Sequence, residues 1–122
     1  MCLAYLDDTV ERKFKNKGFG WKVFRETTEG LIGDARRGRP RTPNKWLHEA
    51  HFRRDRSQKT LKISSQKHYP TGWHIFLTRD GARRWQELWN SEVIRRVQFR
   101  KPVAWGKQRG YPTVVAKEMY IE

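Results

Sequence analysis

Apolar residues fall into short blocks along this 122-residue chain, most with the alternation of a strand and one with the spacing of a helix. Phe19 to Arg25 is rich in aromatic and β-branched residues and predicts the first strand. Gly30 to Gly33 follows as a short apolar element between glycines. From Asp34 to Asn44 the composition shifts to Arg, Gly and Pro, which predicts an exposed loop. Trp46 to Phe52 fits two periods. Trp46, His48, Ala50 and Phe52 alternate as in a strand, whereas Trp46, Leu47 and Ala50 would share a helical face capped by Thr42 or Asn44. The extended reading is preferred, with a second charged loop from Arg53 to Lys59.

Trp73 to Leu77 carries large apolar groups on both faces, as a central, covered strand should, and the turn Pro70-Thr71-Gly72 introduces it. Thr78 or Asp80 then caps a helix reaching about Asn90. Ala82, Trp85, Leu88 and Trp89 form its apolar stripe, and Arg83, Arg84, Gln86 and Glu87 face outward. Val93 to Arg100, Pro102 to Trp105 and Thr113 to Ile121 read as three closing strands. Gly106 to Gly110 reads as a glycine-bracketed basic loop between the last two. The sum is an α+β fold in a single domain spanning 1–122: a small, mainly antiparallel sheet covered by one amphipathic helix. Long basic loops are expected near 34–45 and 53–62.

Composition changes this picture in one respect. Hydrophobic residues make up only 36% of the chain, but aromatics reach 13% with six tryptophans, so a few large rings must build the core. The net charge of +14 exceeds what solubility needs and implies a polyanionic partner. The excess is concentrated in three stretches. Arg36 to Lys62 holds ten basic side chains against Glu49 and Asp55, Arg95 to Lys117 holds seven and no acid, and Val10 to Arg25 holds six against Glu11. Cys2 is the single cysteine, no run of residues is long and apolar enough for a membrane span, and the N-terminus is too short and acidic for a secretory signal. A soluble cytoplasmic protein without a membrane role is expected.

The segment Ala35-Arg36-Arg37-Gly38-Arg39-Pro40-Arg41-Thr42-Pro43 resembles the core of an AT-hook, the short DNA-binding element of many chromatin proteins. The resemblance implies that Arg37 and Arg39 enter an A·T-rich minor groove while Arg36 and Arg41 meet flanking phosphates. Gly38 would allow close backbone approach, and Pro40 would hold the chain extended. A second resemblance covers most of the chain: an early Cys2, Lys22-Val23-Phe24, Trp46 with Ala50, and Gly72-Trp73-His74-Ile75-Phe76. Ala82, Val93 with Val97, and Val114 to Met119 complete it. This order is similar to that of small uncharacterised proteins of bacteriophages and some bacteria. It implies a phage or mobile-element origin and an accessory role against the host, with the basic loop as an addition.

Candidate chemistry is sparse. Cys2 and His74 are the one pair that hints at a thiolate–imidazole nucleophile, with Asp7 or Asp8 to orient the ring. His74 equally suits a packed, hydrogen-bonded core position. His48 and His51 would meet only on a helix, and His68 has no evident partner, so no metal site is assigned. Phosphate-binding and dinucleotide glycine motifs do not occur, and no cofactor is implied. The balance is against an enzyme. Tyr69 beside His68, Trp105 beside Lys107 and Tyr111 beside Arg109 are candidates for base stacking, with Trp105 and Tyr111 preferred because they flank the basic loop, while Trp21, Trp73, Trp85 and Trp89 are expected in the core. Lys59, Lys62, Arg100, Lys101, Lys107 and Arg109 are the candidates for backbone phosphates. The expected function is nucleic-acid binding, with duplex DNA favoured over RNA. The alternatives are an inhibitor that binds an acidic host protein of a defence or nucleic-acid-processing complex, and a small Cys/His enzyme.

Overall fold

A computed structural model of the protein describes residues 3–27, 30–33, 41, 43–52, 57, 59–62, 67–89 and 93–122. The chain runs through β1 (Tyr5–Leu6), α1 (Asp8–Phe14), β2 (Phe19–Thr27), β3 (Gly30–Gly33) and β4 (Trp46–His48), then a 3-10 turn (Glu49–His51). It continues through β5 (Thr60–Lys62), β6 (His68–Pro70), β7 (Trp73–Phe76), α2 (Arg79–Trp89), β8 (Val93–Gln108) and β9 (Tyr111–Ile121). The fold is α+β and all strand pairings are antiparallel.

The hairpin β8–β9 is the spine. Its turn is Arg109-Gly110, with φ of 50° and 82°, the left-handed pair that suits the twist of a two-residue hairpin. The basic segment Gly106 to Gly110 is therefore mostly strand: Gly106 pairs with Thr113 and with Leu6, and only two residues turn. Pro102 to Trp105 is likewise no separate element but the middle of β8. Lys101 is left-handed (φ 58°) and the register shifts between Pro102 and Ala104, so a bulge bends the strand where proline's missing N–H breaks the ladder. The bend lets one edge of β8 serve two partners, β2 along Val93–Gln98 and β1 at Gly106–Lys107.

The pairings close on themselves. β2 joins β8, β8 joins β9, β9 joins β7, and Trp21 opposite Phe76 joins β7 back to β2. Closure needs Gly20, where an added Cβ would overlap the Phe76 carbonyl oxygen and the Ile75 side chain. Inside the ring lie Phe24, Trp73, Ile75, Val97, Val114 and Met119, with Val10 of α1 packed against them. β7 is the central, covered strand anticipated, buried at all four positions.

Two layers cover the outside. α2 sets Ala82 and Trp85 on Val23 and Phe76, and Thr78 Oγ1 accepts from the Gly81 N–H at 3.4 Å to cap its start. Leu88 of the expected stripe stays exposed. The hairpin β5–β6 brings Tyr69 against Leu3, Ala104 and Val115. β5 replaces part of the basic loop expected over 53–62.

The covering is thus shared, and a second helix exists. Asp7 caps α1 by accepting the Thr9 N–H at 2.9 Å, with Asp8 and Glu11 in the first turn and Arg12 and Lys13 in the last. Trp46 to Phe52 divides between the two periods it fits, a short strand followed by a 3-10 turn that His48 Nδ1 caps at 3.1 Å. No helix among the described residues is long and apolar enough to cross a membrane.

Candidate nucleic-acid interface

Directly opposed residues of antiparallel strands point to the same face. One such row crosses four strands on the outer side of the sheet: Trp46 of β4, Tyr120 of β9, Gln98 of β8 and Phe19 of β2. His48, Glu118 and Arg100 form the row on one side of it, and Arg96 opposite Trp21 lies on the other. Trp46, Tyr120, Phe19 and Trp21 are half-buried, whereas Gln98, Arg96 and Arg100 are exposed.

Cations sit on these rings. The Arg100 guanidinium lies 4.0 Å from the Trp46 ring centre and that of Arg96 4.1 Å from Phe19. Lys17 Nζ is 4.8 Å from Phe19 and 4.7 Å from Trp21. Such contacts are worth about 0.5–1 kcal/mol each at exposed sites. The rings also meet in pairs, Trp46 with Tyr120 at 5.6 Å and Phe19 with Trp21 at 5.7 Å. Carboxylates hold the guanidiniums from the side: Arg100 donates to Glu118 at 2.8 and 3.4 Å, and Arg96 pairs with Glu122 at 3.0 Å. Lys101 joins Glu118 at 3.3 Å. The hydrogen bond from Arg100 is the main cause that keeps the Glu118 carboxyl below its ordinary range.

Three ammoniums, that of Lys17 among them, serve carbonyls of the protein itself. Lys17 donates to the Leu77 carbonyl at 2.7 Å, Lys22 to that of His74 at 2.8 Å, and Lys117 to that of Thr71 at 2.6 Å. These three ammoniums sit around β7 and its flanks. Burial lowers the Lys17 pKa.

The residues singled out from the sequence divide accordingly. Arg36, Arg37, Gly38, Arg39 and Pro40 lie outside the described residues, as does Cys2. Arg41 bridges to Leu31 through its backbone and sets its half-buried guanidinium over Phe52 and Trp73, at 5.7 and 5.6 Å. Trp105 packs on the inner core, edge-on to Phe99, and Tyr111 packs beside α2. Lys107 is half-buried in the β1–β8 pairing, Arg109 is exposed at the hairpin tip, and Lys59 is exposed before β5. Lys62 lies on β5, opposite His68. Of the set, Arg100 and Lys101 belong to the aromatic face. Phe19, Trp46, Arg96, Gln98 and Tyr120 were not singled out. The alternation of Arg96, Gln98 and Arg100 was the available signal, but it shows a shared face only once the partner strands are known.

His74 is a core residue. Tyr69 Oη accepts the Leu3 N–H at 2.9 Å and lies 2.9 Å from His74 Nε2, while His74 Nδ1 lies 3.2 Å from the Gly72 carbonyl. A neutral ring protonated on Nδ1 satisfies every group, with Tyr69 donating to Nε2. Among the described residues no three His, Cys, Asp or Glu side chains gather to hold a metal ion. The chain matches no protein-family model, no curated protein and no solved structure.

Proposed function

We propose that the protein binds nucleic acid, with the outer face of β4, β9, β8 and β2 as a contact surface. The observation that carries this reading is the placement of Arg96 and Arg100 over aromatic rings on an exposed sheet face. Rings and guanidiniums together suit a polymer that offers both phosphates and flat bases. Lys101, exposed beside the face, and the overall charge of +14 supply the long-range attraction. The Arg-Gly-Arg-Pro segment adds to the proposal a second, separate contact, with A·T-rich duplex DNA, and an accessory role on host nucleoprotein is proposed on the sequence resemblance alone.

The test is a titration with duplex DNA, single-stranded DNA and RNA at several salt concentrations. Affinity should fall steeply as salt rises, with a log–log slope that counts the phosphates engaged. Absence of binding to all three at low salt removes the proposal and favours an acidic protein as partner.

A further inference from the structure

We infer that the aromatic face takes single-stranded nucleic acid by stacking unpaired bases, in preference to a duplex. This rests on the nucleic-acid reading above and names its substrate. The face is built as two similar stations. Trp46 and Tyr120 form one, with Arg100 over the Trp46 ring and Glu118 holding the guanidinium. Phe19 and Trp21 form the other, with Arg96 over Phe19 and held by Glu122, Lys17 over both rings, and Trp21 packed in part against the cluster under α2. Gln98 lies between them in the row, exposed, with an amide that both donates and accepts.

Three strand spacings separate Trp46 from Phe19, about 14 Å. That suits roughly two or three splayed bases, the number that a sheet surface of this kind stacks in RNA-binding domains. A duplex keeps its base faces buried in its own stack and could engage only the guanidiniums. A single strand can lay bases on rings and on guanidinium planes, and its phosphates can draw the arginines from Glu118 and Glu122. An acidic peptide would use the cations but has no need of paired rings.

The experiment compares oligothymidylate, oligouridylate and a duplex DNA of equal length made of G·C pairs only, which offers the Arg-Gly-Arg-Pro segment no A·T tract, using tryptophan fluorescence and a direct binding assay on the full chain. The wild type should bind single strands about tenfold or more tightly than duplex, with quenching of tryptophan emission. Trp46→Leu and Phe19→Leu keep apolar bulk but remove a π-face. Each should cost about tenfold for single strands and markedly less for the duplex, while Trp46→Phe retains most of the binding. Thermal melts check that the variants fold, and if a Leu variant does not, the wild-type preference and quenching decide alone. Equal affinity for single strands and duplex, with no loss in the folded Leu variants, overturns stacking and leaves charge-driven binding in place. Failure of the wild type to bind any of the three overturns both. The two single strands separate DNA from RNA as the source of the bases.

Discussion

Glu118 is the residue on which the aromatic face turns. It pairs with both Arg100 and Lys101 through one carboxylate, so it competes with any phosphate that approaches them. Glu118→Gln should therefore tighten nucleic-acid binding by a few fold and steepen the salt slope, as a titration would show. The same pairing has a pH signature. The folded-state pKa lies below the ordinary 4.5, so the stabilisation is present above that value and is lost as pH falls through the folded value. Melting temperature should drop from about pH 4.5 downward, and Glu118→Gln should flatten that drop. A second residue, Tyr69, ties the segment at Leu3 to the core. Tyr69→Phe removes the acceptor of the Leu3 N–H and the hydroxyl that meets His74 Nε2, at a cost of about 1–3 kcal/mol by denaturant unfolding.

At the scale of elements, the seam between β2 and β7 is the sensitive joint. Gly20→Ala would place a methyl against the Phe76 carbonyl, and backbone there has nowhere to move because α2 lies on Phe76 from the other side. A loss of more than about 2 kcal/mol is expected, measured by chemical denaturation. The sequence carried this architecture unevenly. β7 and α2 were legible because an apolar run between turn residues and a capped amphipathic stripe are local signals. α1 was not, since its seven residues offer only Val10 and Phe14, a single i,i+4 pair too short to read as a stripe. The unity of β8 was also hidden: Lys101-Pro102 looks like a break in sequence, and only pairing with β9 across the bulge makes it a bend.

For the molecule as a whole, the charge of +14 overstates what faces a partner, because Lys17, Lys22 and Lys117 serve carbonyls of the protein itself. The basic character was plain from composition, but its division between interior and surface depends on contacts far apart in the chain. Trp105 and Tyr111 stand out in sequence because they neighbour basic residues along the chain, whereas the row that joins Trp46, Tyr120 and Phe19 exists only through pairing across strands. The reliance of β2, β4 and β7 on β8 and β9 has one more consequence, for synthesis. Every strand that needs the final hairpin is made before it, so the nascent chain holds its aromatic residues unsheltered until that hairpin leaves the ribosome. Closure of this sheet therefore waits for that hairpin to emerge, and the interval before it is when these strands most need protection from aggregation.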